Sequence, residues 1–288
     1  MELSDLLEPM RKSSILVQYD AHPGANSPIG ASKIGGQPDL PAGFEWPYFE
    51  GTAYDGVTAN RPLSFLAQIN CAEASKYDND SMLPSSGMLY FFYELLTMTS
   101  GYGPQDKGSS RVYYFGGGTS DLHRTDFPDD LLPDCRIPAM PVTFSSRTEL
   151  PDFEELAEWR DDVDWDDYQE YNETRATIVE EPDPDEISKL LGYANLIQGG
   201  MLKQCELVSG GTDLTPDAYY EYSLATTEQQ LRHDCARWQL LFQIDSIETP
   251  KYSLSWISYG RLYFYIDHAA PVRGIFAPWT LRIYWNQW

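Results

Sequence analysis

The sequence has few basic residues for its size. It contains 20 Lys and Arg against 44 Asp and Glu, and the formal net charge at pH 7 is −24. A surface with this charge repels phosphate backbones and anionic lipids. We therefore predict no binding to nucleic acid or to a membrane surface, and the charge favours a basic partner.

Long apolar runs are also missing. No uncharged run approaches the ~20 residues of a membrane-spanning helix, and the first 20 residues carry charges every few positions without the apolar centre of a signal peptide. These absences predict a cytoplasmic protein.

Cysteine and histidine are scarce and scattered. The four histidines show no HxH or HxxxH spacing, and the sequence has no GxSxG motif and no CxxC pair. Four cysteines that lie far apart in a chain of 288 residues predict reduced, mostly buried thiols rather than disulfides or a zinc site. The cysteines are Cys71, Cys135, Cys205 and Cys235. We expect no cofactor, and no residue is identified as catalytic.

The chain is rich in aromatic residues and in turn formers. It has 12 Phe, 8 Trp and 20 Tyr, together with 21 Gly and 20 Pro. This mixture favours many short strands joined by turns. We predict a β-rich α+β fold with mainly antiparallel sheets that share one core, and a short amphipathic helix over residues 3–10. Strand candidates are residues 15–19, 63–69, 88–93, 111–115, 135–144, 238–244, 261–266 and 280–285.

Three short blocks occur twice, in the same order. SKIGGQPDL at 32–40 matches SKLLGYANL at 188–196, FLAQIN at 65–70 matches LLFQID at 240–245, and GMLYFF at 87–92 matches GRLYFY at 260–265. We predict one domain over 1–288 that arose by internal duplication, with related halves at 12–150 and 176–288. Gln68 and Gln243 stand in apolar runs, so we expect each amide to bond neighbouring backbone.

These blocks, in the wider context SKIGGQPDLPAGFEWP, PLSFLAQIN and LPSSGMLYFFY, resemble the YwqG-like family, the domain of unknown function numbered 1963. LLGYANLIQGG, WQLLFQID and GRLYFYI resemble the second half of that family, so the similarity covers about 12–270. The resemblance implies a soluble, mostly bacterial, duplicated α/β protein without an established activity, often encoded near toxin or immunity genes. Residues 271–288 depart from the family pattern and stay unassigned.

An acidic connector, residues 152–186, separates the two predicted halves. It holds 16 Asp and Glu against two Arg, a net charge of −14. Helical spacing of Phe153, Leu156 and Trp159 predicts one or two helices, followed by the Pro-broken linker EEPDPDE. Aromatic residues among the acids favour a partner-binding surface. We assign to it the carboxylates Asp162, Asp164, Asp166 and Asp167 and the aromatic residues Trp159, Trp165, Tyr168 and Tyr171.

The same segment has a partial calcium-loop spacing. Asp162, Asp164, Asp166 and Glu173 occupy positions 1, 3, 5 and 12 of the loop. The sixth position requires glycine and is Asp167. We therefore predict a solvated acidic helix without a metal.

Two functions follow from these observations. The first is a non-enzymatic protein-binding module, including immunity against, or sequestration of, a basic toxin. The alternative is small-molecule binding or catalysis in a cleft between the halves. Candidate cleft residues are Trp46, Tyr48, Phe49, Gln68, Tyr193, Gln198 and Gln243.

Overall fold

The structure is a computed structural model that describes residues 3–20, 27–53, 56–180, 187–197, 199–214, 228–256, 260–267 and 281–284. Most of its regular structure is β. The strands are β1 (Lys12–Tyr19), β2 (Lys33–Ile34), β3 (Asp39–Pro41), β4 (Tyr48–Thr52), β5 (Thr58–Pro62), β6 (Ser64–Asn70), β7 (Met88–Tyr93), β8 (Ser110–Phe115), β9 (Leu122–Arg124), β10 (Met140–Glu149), β11 (Lys189–Leu191), β12 (Trp238–Asp245), β13 (Ile247–Thr249), β14 (Tyr252–Leu254), β15 (Arg261–Asp267) and β16 (Leu281–Tyr284).

The helices are short. They are α1 (Leu3–Leu7), α2 (Cys71–Ala74), α3 (Phe153–Trp159), α4 (Tyr168–Ile178), α5 (Leu202–Ser209) and α6 (Glu228–Cys235). Single 3-10 turns occur at Glu8–Met10, Ser75–Tyr77, Pro104–Asp106, Thr119–Asp121, Pro133–Cys135 and Trp165–Asp167. None of the described helices is long and apolar enough to cross a membrane.

One large sheet organises the fold. Its ten strands lie in the order β16, β15, β12, β11, β1, β10, β2, β6, β7, β8. The pairings within this sheet are antiparallel, as are those of the small sheets β3–β9, β4–β5 and β13–β14. The prediction of a β-rich α+β fold with mainly antiparallel sheets is therefore confirmed.

The centre of the sheet is the pair β1–β10, which runs from Lys12 opposite Glu149 to Tyr19 opposite Val142. A very short strand flanks it on each side: β11 pairs with β1, and β2 pairs with β10. Beyond these come β12 and β6. Each of these two strands has a bulge where it pairs with its outer neighbour. In β12–β15 the register shifts between Leu240 and Phe242, and in β6–β7 it shifts between Phe65 and Ala67.

The structure corrects two sequence expectations. The Gly- and Pro-rich residues 27–47 predict a loop without a regular interior element, yet β2, which lies within them, is part of the large sheet. It stays two residues long because Gly35 and Gly36 follow with φ of +60° and +70°, outside the β region. The strand expected over 135–144 begins at Met140, since Cys135 N bonds Leu132 O and closes a turn instead.

The main core lies on one face of the sheet and joins strands from both ends of the chain. Phe91 of β7 contacts Phe242 of β12 and Phe264 of β15, with ring centroids 4.6 and 5.1 Å apart. Fully burying a phenylalanine side chain contributes about 1.5–3 kcal/mol. The four cysteines are buried and free, as predicted.

The helices form separate packing clusters. Leu7 of α1, Phe153 and Leu156 of α3 and Tyr171 of α4 pack together, so the predicted N-terminal helix and the predicted helices of the acidic connector are present. Helices α5 and α6 pack near β12 and β15 through Cys205, Cys235 and neighbouring side chains. Residues 181–186, which contain the Pro-broken linker, lie outside the described residues.

Candidate functional site

A buried polar cluster surrounds Gln68 of β6. Its Oε1 accepts a hydrogen bond from Asp39 N at 2.8 Å, and its Nε2 donates to Ala31 O at 2.8 Å and to Asp39 Oδ2 at 2.7 Å. The hydroxyl of Tyr90, on the neighbouring strand β7, donates to Asp39 O at 2.7 Å. The glutamine amide is thus saturated and holds the loop after β2 against the sheet, as the sequence predicted.

Asp39 carries the charge of this first cluster. Its carboxylate accepts from Gly30 N at 3.0 Å, Lys33 Nζ at 3.3 Å and Arg124 Nε at 2.5 Å. Burial alone would raise the pKa of Asp39, but the hydrogen bonds from Arg124 and Gln68 hold it below its usual value. Burial lowers the pKa of Lys33 to about 8, against the opposing attraction of Asp39.

A second polar cluster surrounds Gln243 of β12. Oε1 accepts from Asn195 N at 2.9 Å, while Nε2 donates to Ile187 O at 2.7 Å and to Asn195 Oδ1 at 3.2 Å. Tyr263 of β15 donates its hydroxyl proton to Asn195 O at 2.8 Å. Since Gln68 and Gln243 are fully buried with every amide group bonded, both stabilise loops rather than line a cleft.

Lys189 of β11 is also buried beside the second cluster. Its Nζ donates to both oxygens of Glu149, at 2.8 and 2.9 Å, and Glu149 Oε2 accepts from Tyr193 N at 3.1 Å. Burial lowers the pKa of Lys189, and the Glu149 carboxylate opposes that shift. The pair anchors the end of β10 to β11.

Among the described residues, the expected cleft residues of the first half do not meet those of the second half. Trp46 donates to Leu63 O at 2.9 Å and packs on Phe92 of β7 with ring centroids 5.3 Å apart. Tyr193 follows β11, donates to Met10 O at 2.7 Å, and is separated from β7 by four strands of the sheet order. Of the remaining candidates, Tyr48 bonds Asp130 at 3.0 Å, Phe49 packs in the cluster of Phe65 and Tyr90, and Gln198 lies outside the described residues.

The acidic connector presents an exposed aromatic pair. Trp165 is 63% exposed and Tyr168 44%, and their rings stack with centroids 6.0 Å apart. Both rest on the buried Phe153, at 5.2 and 5.3 Å. Tyr171 is fully buried and donates to Pro151 O, so it is not part of this surface, and Trp159 is half-buried between two packing clusters.

The carboxylates beside this pair have local partners. Asp162 accepts two bonds from Arg160, at 2.6 and 2.5 Å. Asp164 and Asp167 form a capping box around the Trp165–Asp167 turn, and Asp166 is exposed. Glu173, the last position of the calcium-loop spacing, accepts from Gln169 at 2.8 Å. Asp162, Asp164 and Glu173 therefore accept hydrogen bonds from neighbouring residues of the same chain.

A pocket of about 340 Å³ opens where β11 ends. We call it the seam pocket. It is lined by residues 11–13 at the start of β1, Asp80 and Met82, Leu191 and Gly192, and residues 236–240 at the start of β12. Because β11 stops at Leu191, β1 and β12 lose the strand between them and leave this gap. No sequence motif marks these residues, since they meet only through strand order.

The fold and its buried clusters define a β-rich protein built on one antiparallel sheet, with an acidic aromatic surface and a seam pocket. The model of the domain of unknown function DUF1963 matches residues 32–280. The chain belongs to this family, as its motifs predicted. Among the curated proteins, no match to the chain was found.

Proposed function

We propose that this protein is a non-enzymatic protein-binding module that recognises a basic partner through its acidic aromatic surface. This surface consists of Trp165, Tyr168, Asp162, Asp164, Asp166 and Asp167. The observation that carries the proposal is the stacked pair Trp165–Tyr168, which is exposed although it is large and apolar. Exposed aromatic residues supported from beneath are typical anchors of protein interfaces.

Charge supports the same surface. The connector carries −14 of the total −24, so its field attracts a cationic protein and accelerates encounter from about 10⁵–10⁶ M⁻¹s⁻¹ towards about 10⁸ M⁻¹s⁻¹ at low salt. The aromatic pair supplies the desolvated centre that charge alone does not. Neutralisation or sequestration of a basic toxin in the cytoplasm is the role that fits this combination.

We further propose that residues 12–150 and 176–288 arose by duplication. The supporting observation is that Gln68 and Gln243 make corresponding bonds to Asp39 and Asn195, which lie at matching positions of the first repeated block. Both adjoin a bulged strand pair of the same sheet. The acidic connector occurs once, so a partner bound there meets one surface rather than two.

The proposed function is tested by affinity purification from the native cells with three chains. The first is wild type; the second carries Asp→Asn at 162, 164, 166 and 167. The third is a charge-matched control with Asp→Asn at Asp121, Asp126, Asp129 and Asp134, which are exposed elsewhere. We expect a basic protein to be retained by wild type and control, and lost from the second chain. Equal retention by all three would contradict the proposal.

A variant of Trp165 distinguishes the contribution of the aromatic pair to binding from that of the charge. Trp165→Ala leaves the net charge unchanged, so we expect a faster dissociation rate with a nearly constant association rate. The Asp→Asn chain should instead lose association rate and salt dependence. If Trp165→Ala dissociates like wild type, the aromatic pair is not the anchor.

A further inference from the structure

The seam pocket differs in charge from the rest of the molecule. Its lining contains three cationic side chains, Arg11, Lys12 and Arg237, and one carboxylate, Asp80. The whole chain carries −24. A cationic pocket in an anionic protein is a local reversal that favours an anion inside it over the surrounding surface.

Two of the three cations already have partners outside the pocket lining. Arg11 pairs with Glu8, and Arg237 bonds Glu206 at 2.9 Å and Asp267 at 3.5 Å. Lys12 differs. Within the part of the chain that the structure describes, its ammonium has no hydrogen-bond acceptor, and its close contact is the ring of Tyr193, 4.2 Å from Nζ to the centroid.

The surroundings of Lys12 act on its charge. The side chain is largely buried, and burial lowers the pKa of Lys12 against the attraction of Glu155 and Asp80. An ammonium group has three donors, and those of Lys12 meet no acceptor among the described residues, so they are available to an oxygen of a ligand. Asp80 attracts the ammonium from the same lining without a hydrogen bond to it, and its Oδ2 accepts from Ser13 N at 2.6 Å.

Ser13, the next residue of β1, also belongs to the lining. Ser13 is 6% exposed, and within the described residues its Oγ has no hydrogen-bond partner. The remaining lining is apolar or neutral, with Met82, Leu191, Trp238 and Leu240 as its large side chains. The volume lies within the range of roughly 300–1,000 Å³ typical of small-molecule sites.

We propose that the seam pocket binds a small organic anion, a carboxylate joined to an apolar group, with the Lys12 ammonium as its charged donor. One ammonium without a hydrogen-bonded acceptor matches a single carboxylate, and the apolar lining matches a hydrocarbon body. The carboxylate belongs either to a free organic acid or to the C-terminus of a peptide. This site is distinct from the acidic aromatic surface and does not depend on the function proposed for that surface.

The test uses hexanoate as the probe and hexanol as its neutral counterpart, with binding followed by ligand-observed NMR and calorimetry. Lys12→Met removes the ammonium and keeps the stem. Gln239→Glu is isosteric and places a negative charge in the lining without changing Lys12. Lys251→Met, at an exposed turn, is the matched control. Thermal melting establishes that each variant is folded.

We expect saturable hexanoate binding, a Kd raised about tenfold or more in Lys12→Met and in Gln239→Glu, and no change in Lys251→Met. Hexanol should bind more weakly by a similar factor. The proposal is overturned if hexanoate shows no saturable binding at tens of millimolar, if hexanol binds equally well, or if Gln239→Glu binds hexanoate like wild type. Should Lys12→Met fail to fold, Gln239→Glu carries the decision.

A further pair of probes distinguishes the two sources of the carboxylate. N-acetyl-glycyl-leucine presents a peptide C-terminus, and its amide lacks the charge. Tighter binding of this peptide acid than of hexanoate, lost in the amide, assigns the site to a C-terminus. Binding of hexanoate without the peptide acid assigns it to a free organic acid.

Discussion

Gln68 and Gln243 perform the same task at two places in one sheet. Each side-chain oxygen accepts a backbone N–H, from Asp39 at 2.8 Å and from Asn195 at 2.9 Å, and each amide nitrogen donates to a carbonyl of the preceding loop. The two environments differ in charge: Gln68 also donates to the Asp39 carboxylate, which Lys33 and Arg124 contact, whereas Gln243 donates to the neutral amide oxygen of Asn195. This difference gives matched variants with unequal outcomes.

Substitution of each glutamine by glutamate should lower the stability of the protein by different amounts in the two clusters. In Gln68→Glu the new carboxylate faces Asp39, and like charges in a buried site repel. In Gln243→Glu the Asn195 amide can turn to donate its N–H. Both variants lose stability, and we expect Gln68→Glu to lose about 2 kcal/mol more, measured by urea unfolding at neutral pH. Equal losses would show that Asp39 does not contribute to the difference.

Glu155 of α3 should make stability depend on pH. It is 4% exposed, one carboxyl oxygen has no partner among the described residues, and burial raises its pKa to about 8 from 4.5. Because the folded pKa is the higher one, the stabilising contribution is complete below pH 4.5 and is lost as pH rises towards 8.

Glu155→Gln removes this titration. Relative to wild type, we expect the variant to gain about 2 kcal/mol or more between pH 5 and pH 8 in urea unfolding experiments. Glu154→Gln, the adjacent substitution, controls for loss of one negative charge from the connector. A wild-type-to-variant difference that stays constant with pH would contradict the assignment.

Two glycines on either side of β3 should tolerate alanine very differently. Gly35 and Gly43 both have positive φ, +60° and +76°. A Cβ on Gly35 would lie 2.4 Å from Pro138 O and 2.7 Å from Ile137 O, whereas a Cβ on Gly43 meets nothing within 4 Å. We expect Gly43→Ala to cost about 1–2 kcal/mol from backbone strain, and Gly35→Ala about 3 kcal/mol or more. Thermal melting of the two variants measures the difference.

The cysteines should not react with thiol reagents in the native protein. Burial raises the pKa of Cys71 and of Cys235 to about 12, which leaves little thiolate at neutral pH. We expect labelling by a chromogenic disulfide only at the rate of unfolding. Rapid labelling of native protein at Cys71, located by mass spectrometry, would contradict this.

Local pattern predicted much of the fold. The runs FLAQIN and MLYFFY are long, apolar and rich in branched or aromatic residues, so their strands are visible in the sequence, and β7 falls on the predicted residues 88–93. The two-residue strand β2 was missed because Gly35 and Gly36 hide it. Such a strand exists only through its neighbours β10 and β6.

The acidic aromatic surface was predicted from the sequence, whereas the seam pocket was not. Trp165 and Tyr168 were predicted as surface anchors because aromatic side chains among consecutive acids are conspicuous, and they are exposed. Tyr171 has the same local sequence context but packs in the buried cluster with Leu7 and Phe153, which composition does not reveal. Lys12 joins Trp238 in one pocket only because β11 ends early, a property of the sheet rather than of either segment.

The position of β1 has a consequence for synthesis of the chain. It leaves the ribosome before both of its partners, because it pairs with β10, where Ser13 lies opposite Thr148, and with β11, where Ile15 lies opposite Leu190. At about 5–20 residues per second, the apolar run 15–17 waits several seconds or longer for its first partner. A strand at the centre of the sheet thus stays unpaired until much later segments have been made, and contact with another nascent chain competes with its correct insertion.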